Sequence, residues 1–315
     1  MWHLSLRPYY LKMSDKNLSR RNKEIDGIRS IFWYHWIANI IDSEHPEDVR
    51  RAVEPNKSTL SADGGPDKNG KFSHYRKGMR MPNASLINQA ELLIPGSSAV
   101  ITHPLWKILR QEGDVESIST SLVWSLNGRV RELMLTGKNQ VRSKVTDAYL
   151  AHLIKIGSMD SLAGLTLIFL LNVEKNNSEG LLDCADAITQ TLVLLAPLFR
   201  AVAVDELLYK AYVERIFMLA SHDGYTRDWK DYHYTSICEF LWRLASTIKA
   251  RETGRSYNRQ YYVLAALRGR FRWQKGEDLM PRKIPDERIG PPTEIGMQIL
   301  ANIKKLRQGL DSDSS

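Results

Sequence analysis

The feature that most constrains this chain is the recurrence of apolar residues at three- and four-residue steps along most of its length. Between Ile28 and Ile41, for example, seven apolar residues follow this spacing, the period of an α-helix with one buried face. From about residue 115 onward, one such segment follows another, separated mainly by Gly and Asn. No segment shows the strict alternation of a half-buried strand. The pattern predicts a mainly α fold.

Capping and turn-forming residues place the ends of the predicted helices. Pro46, followed by two acids, begins a short helix that ends before Pro55, and Asn83 is expected to cap a helix that runs through Leu93. Beyond residue 115 the periodicity predicts helices over 117–136, 141–156, 159–173, 180–195, 200–221, 232–252, 257–271 and 293–308.

The linkers between these segments predict a small N-terminal helical module and a larger C-terminal α-helical bundle. Residues 1–24 are expected to be poorly ordered, and residues 25–112 form the module, with a flexible loop of polar turn-formers at 56–71. The bundle spans residues 113–275. Residues 276–315 then hold an irregular linker, a terminal helix and a disordered tail.

Composition favours a globular protein that builds its core without disulfides. Apolar residues make up 43% of the chain and charged residues 25%. The two cysteines, Cys184 and Cys238, are too few for a disulfide framework or a four-thiolate zinc site. They are expected to be small buried hydrophobes in a reducing compartment.

Targeting and membrane signals point to a cytoplasmic protein. Pro8 interrupts the start of the chain, which lacks the apolar run of a signal peptide, and translation could begin at Met1 or at Met13. The apolar stretches Leu162–Val173 and Leu192–Val204 are shorter than the roughly 20 residues that span a bilayer. Both are predicted to be buried core helices, and no membrane association is expected.

The positive charge is concentrated in one part of the chain. The formal net charge is +8, and the segment from Lys249 to Lys275 contains eight basic residues and a single acid, Glu252. Its arginines alternate with aromatic residues, a combination that suits phosphates and unpaired bases. A solvated helix face and an acidic protein partner remain alternatives. The candidate nucleic-acid contacts in this segment are Arg255, Arg259, Arg268, Arg270, Arg272 and Trp273.

A second basic segment resembles part of a DNA-binding fold. Residues 75–82, YRKGMRMP, precede the predicted helix that Asn83 caps. This arrangement resembles the end of the recognition helix in phage-repressor-like helix-turn-helix domains, which implies DNA contact by four residues, Tyr75, Arg76, Lys77 and Arg80. The loop at 56–71 stands where those domains have the first turns of that helix. The alternative is a helix-loop-helix packing unit with solvated basic residues.

A broader set of positions is similar to a set of bacterial proteins that have no assigned activity. This likeness implies a bacterial source and carries no function. The positions that match are Trp36, Glu54, Pro55, Tyr75, Gly78, Pro82, Pro95, Gly96 and His103–Trp106.

Other chemistry has weaker support in the sequence. His222, Asp223 and His233 fall within a dozen residues and could ligate a metal, although Asp and Gly are also common in connectors for turn reasons. Residues 65–71 match the first part of a P-loop, but Phe72 replaces the hydroxyl that would bind magnesium. Neither G-x-S-x-G nor H-E-x-x-H occurs, and no cofactor is expected.

These observations favour a non-enzymatic, nucleic-acid-associated protein, with DNA ahead of RNA, acting as a bacterial or mobile-element regulator. The first alternative is a helical interaction or scaffold protein that binds an acidic partner or self-assembles through the apolar helices at 159–204. The second alternative is a metal-dependent hydrolase.

Overall fold

The computed structural model describes residues 15–55, 70–111, 115–142, 145–175, 177–178, 180–222, 224–251, 259–268 and 279–286. The fold over these residues is mainly α, which confirms the predicted class. The helices are α1 (Asp15–Ile40), α2 (Pro46–Val53), α3 (Lys71–Arg76), α4 (Ala84–Leu93), α5 (Ser97–Thr102), α6 (Pro104–Arg110), α7 (Val115–Trp124), α8 (Gly128–Met134), α9 (Asp147–Ile156), α10 (Met159–Glu174), α11 (Leu181–Ala201), α12 (Asp205–Arg215), α13 (Tyr234–Arg251) and α14 (Arg259–Leu267). A 3₁₀ turn covers Phe217–Leu219, and the strands β1 (Tyr225–Arg227) and β2 (Lys283–Pro285) pair antiparallel.

Asparagine side chains cap two helices, one predicted and one not. Asn83 caps α4 as predicted, because its side-chain oxygen accepts a hydrogen bond from the Leu86 N–H at 2.9 Å. The predicted helix 117–136 is instead two helices, α7 and α8. Asn127 stands between them and its side chain accepts from the Arg129 N–H at 3.0 Å, so a new helix begins there.

Helix α11 runs through Pro197 to Ala201, where the sequence predicted a break between residues 195 and 200. A proline in a helix cannot donate to the carbonyl four residues earlier, which leaves the Val193 carbonyl without its usual donor. The indole N–H of Trp242 donates to that carbonyl at 3.0 Å. Because the lost backbone bond is replaced from a neighbouring helix, α11 continues past the proline.

The chain is helical earlier than predicted and has a sheet that was not predicted. Helix α1 begins at Asp15, so residues 15–24, expected to be poorly ordered, are helical. They are rich in Lys, Arg and Glu, which favour helices, and begin with an acid. Strand β2 lies in the region 276–315, expected to hold an irregular linker, a terminal helix and a disordered tail, and pairs Ile284 with Thr226 of β1. The predicted loop residues 56–69 and the predicted helix 293–308 lie outside the described residues.

Helix α1 belongs to two hydrophobic cores. The smaller core surrounds Trp33 and Ile37 and is completed by α2, α3, α4 and Ile101. The larger core includes Phe32, whose ring meets Trp106 edge-on at 5.7 Å and Phe199 at 6.3 Å. Trp106 thus lies in the larger core, although the sequence assigned it to the N-terminal module. The two cores share one helix, which holds them together.

Helices α10 and α11 form the centre of the larger core. Residues 161–172 are all buried, and so is most of α11. This confirms the prediction that the two apolar stretches are core helices. Of the helices described, α11 has the length and apolar composition to cross a membrane, with a mean hydropathy of 1.4, and 67% of that apolar window is buried within the fold.

Candidate nucleic-acid interface

The basic segment at 75–82 forms the end of α3 and the turn that follows it. Gly78 adopts a left-handed conformation, with φ of +67°, which an L side chain rarely takes. The Gly78 N–H donates to the Tyr75 carbonyl at 3.0 Å and the Met79 N–H to the His74 carbonyl at 2.9 Å. These bonds end the helix in a compact cap.

The backbone of this turn is held against α1. A Cβ atom on Gly78 would lie 2.7 Å from the Gly27 carbonyl oxygen, and one on Gly27 would lie 2.9 Å from the Gly78 oxygen. The buried Ser30 hydroxyl donates to the Arg80 carbonyl at 2.7 Å and lies 3.3 Å from the Tyr75 carbonyl oxygen. Both sides of the contact therefore require small residues, and we call it the Gly27–Gly78 contact.

Tyr75 is buried, in contrast to its predicted role as a nucleic-acid contact. Only 3% of the residue is exposed, and its ring meets Trp33 and Phe72 edge-on, at 6.0 and 5.5 Å between centroids. Burial raises the pKa of its phenol. Tyr75 thus belongs to the smaller core, and we do not count it among the candidate nucleic-acid contacts on the surface.

The other three predicted contacts in this segment are exposed. Arg76, Lys77 and Arg80 lie on the surface at the end of α3 and in the turn. Within the described part of the chain, none of the three takes part in an ion pair. Their charges are therefore available to an external anion.

Lys23 extends this surface along α1. It is exposed and precedes Gly27 by four residues, which places it on the helix face that meets the turn. We define Lys23, Arg76, Lys77 and Arg80 as the α1–α3 basic surface. The sequence did not predict Lys23, because its membership depends on the Gly27–Gly78 contact.

Glu24 and Asp26, the acids of α1 whose side chains are described, are both paired with arginines. Asp26 accepts from Arg110 of α6 at 2.9 Å, and Glu24 lies 3.8 Å from the buried guanidinium of Arg215 on α12. The arginine partners offset the negative charges of these two acids.

The C-terminal basic cluster is described only in part. Arg259 and Arg268 are exposed on α14 and directly after it, while Arg255, Arg270, Arg272 and Trp273 lie outside the described residues. Helix α14 packs mainly on α13 and α11, whereas α3 packs mainly on α1 and α2. The described residues therefore do not join the two basic groups into one surface.

The candidate metal ligands do not converge in the described structure. His233 is exposed and His222 is half-buried, and Asp223 lies outside the description. Over the described residues, no three or more His, Cys, Asp or Glu side chains are grouped so that they could hold a metal ion. Cys184 and Cys238 are buried and unpaired, and burial raises the pKa of each thiol to about 12, which disfavours a thiolate ligand.

Comparison with known proteins leaves the site to be interpreted from its own geometry: the chain matches no protein-family model, no curated protein and no solved structure.

Proposed function

We propose that this is a non-enzymatic, nucleic-acid-associated protein that binds the phosphate backbone through the α1–α3 basic surface. One observation carries the proposal: Arg76, Lys77 and Arg80 are exposed at the end of α3 and in the turn that packs against α1, and they have no ion-pair partner among the described residues. The same segment resembles the end of a helix-turn-helix recognition helix, so DNA is favoured over RNA and a regulatory role over a catalytic one.

The physical basis is the release of counterions from the nucleic acid. Each phosphate that a lysine or arginine neutralises changes the slope of log affinity against log salt by about −0.9 on duplex DNA. The four cations of the surface therefore account for a slope of about −3.6 if each contacts one phosphate. A turn that is already fixed by the Gly27–Gly78 contact loses little backbone entropy when it binds.

Fluorescence anisotropy with a labelled duplex, at several salt concentrations, tests this proposal. Arg76→Ala, Lys77→Ala and Arg80→Ala combined should weaken binding and make the salt slope less steep by about 3. The matched control removes three exposed cations elsewhere, from Lys107, Arg129 and Lys138. The control should retain most of the affinity. A triple variant with the affinity and slope of the wild type would overturn the proposal.

A second candidate, a protein-interaction role, rests on two exposed apolar side chains, one of them in the turn after α3. Met79 in the turn is 70% exposed and Leu92 at the end of α4 is 84% exposed. Most apolar side chains of the predicted self-assembly segment at 159–204 are buried in α10 and α11, so this candidate is argued from Met79 and Leu92. Light scattering of the wild type and of a Met79→Ser, Leu92→Ser variant tests this role. A monomer in both cases argues against self-assembly.

A further inference from the structure

A groove lies between α9 and α14, away from the turn after α3. Its volume is about 380 Å³, and its lining includes His152 and Lys155 from α9 and Tyr261, Leu264 and Arg268 from the α14 segment. Gly157, just after α9, approaches Gln260 at the start of α14 so closely that a Cβ there would lie 3.3 Å from the Gln260 amide nitrogen. Ala151 of α9 and Ala265 of α14 complete the described lining.

The described lining of the groove is cationic. Lys155 and Arg268 are both exposed, and neither forms an ion pair with the described residues. No acidic residue belongs to the described lining, and Gln260 adds a neutral amide. Gln260 and Arg268 are eight residues apart, about 12 Å along the chain at 1.5 Å per helical residue. One cation from α9 and one from the α14 segment therefore belong to the lining.

An exposed aromatic ring also lines the groove. Tyr261 is 57% exposed, and the neighbouring ring of Tyr262 meets it edge-on at 5.4 Å and 86°. Leu264 and Ala265 supply an apolar floor. Exposed rings in cationic grooves are the usual platforms for unpaired bases, because every base has a flat π face.

We propose that the α9–α14 groove binds an unpaired nucleotide of a single strand, with the base stacked on Tyr261 and the neighbouring phosphates paired with Lys155 and Arg268. A base inside a duplex is stacked on its neighbours and cannot take this place. The inference rests on the proposed nucleic-acid function and adds a preference for single-stranded segments at this groove. The α1–α3 basic surface would bind backbone of either form.

Anisotropy with a labelled single strand of about 15 nucleotides and with a labelled duplex separates the two sites. Tyr261→Ala should raise the Kd for the single strand about 5- to 100-fold, the range for loss of one stacked base, and leave duplex binding unchanged. Tyr261→Phe retains the ring and should bind as the wild type does. Lys155→Ala with Arg268→Ala should weaken single-strand binding and its salt dependence, whereas Lys230→Ala, an exposed cation elsewhere, should not.

The outcomes distinguish this inference from the proposed function. If Tyr261→Ala leaves single-strand affinity unchanged while the triple variant of Arg76, Lys77 and Arg80 loses binding, the groove proposal fails and the function stands. Equal losses for single strand and duplex, or an equal loss in Tyr261→Phe, also overturn the groove proposal. If the wild type binds neither form at low salt, both proposals fail. Far-UV circular dichroism of each variant checks that the helices are intact.

Discussion

Replacing Gly78 with alanine tests the contact that holds the basic turn on α1. At this position φ is +67°, and the added Cβ would lie 2.7 Å from the Gly27 carbonyl oxygen and 3.0 Å from both the Gly27 carbonyl carbon and the Ile31 Cδ1. Two of these three atoms belong to the backbone of a helix that is packed in both cores. The helix cannot move away without disturbing those cores, so the turn has to shift.

The expected loss of stability follows from three contributions. An L residue in the left-handed region costs about 1–2 kcal/mol. Forcing a methyl group into a closed contact costs about 1–3 kcal/mol more. Alanine also restricts the unfolded chain and returns about 0.4–1 kcal/mol. The free energy of unfolding should therefore fall by about 3 kcal/mol in Gly78→Ala.

Urea unfolding followed by circular dichroism measures this change, and the m-value should stay constant because the same surface is exposed on unfolding. Gly137→Ala is the control, since a Cβ there meets no atom within 4 Å and its φ is not positive. It should lie within about 0.5 kcal/mol of the wild type. If Gly78→Ala is as stable as Gly137→Ala, the Gly27–Gly78 contact does not fix the turn, and the rigid presentation of Arg80 is refuted.

Three further predictions concern polar groups. Ser30→Ala removes the donor to the Arg80 carbonyl and should cost about 1–3 kcal/mol in urea unfolding, because a partly buried carbonyl loses its partner. Burial raises the pKa of Asp186 to about 6, although Arg227 acts in the opposite direction. The free energy of unfolding that this carboxyl contributes should therefore fall as the pH rises from 3.8 to about 6. In Asp186→Asn, unfolding curves measured across this range should lose that pH dependence. Two backbone N–H groups at the start of α5 lower the pKa of Glu91 to about 2, so its contribution is present above pH 4.5 and is lost as the pH falls toward 2. In Glu91→Gln, the melting temperature measured in thermal unfolding scans should depend less on pH between 4.5 and 2.

The helices could be predicted from the sequence wherever their signals are local. The three- and four-residue period and the Asn83 cap each depend on residues within a dozen positions of one another. Helices α4 and α10 accordingly lie close to their predicted bounds. The continuation of α11 through Pro197 could not be predicted in this way. It depends on Trp242, which is 49 residues from the Val193 carbonyl that it satisfies. A pairing of that kind exists only after the helices have packed.

The candidate site shows the same division. Exposed Arg76, Lys77 and Arg80 are consistent with a polar segment that is rich in basic residues, and the sequence singled them out. Tyr75 was included because an aromatic residue beside arginines has the same local pattern whether its ring faces solvent or core. Only its packing on Trp33 shows that it belongs to the core.

The pairing of its acids explains why a helix with both signs can still contribute to a basic surface. Without arginine partners, Asp26 and Glu24 would offset nearby cations, because opposite charges within about 4–6 Å interact strongly. They are instead directed toward Arg110 and Arg215, and the Arg215 guanidinium also donates to the Leu109 carbonyl at 3.1 Å. These pairs tie α1 to α6 and α12 and leave the charges of Lys23, Arg76, Lys77 and Arg80 without an ion-pair partner among the described residues. The potential at the α1–α3 basic surface is therefore set by how α1 is packed, and the net charge of +8 alone does not determine it.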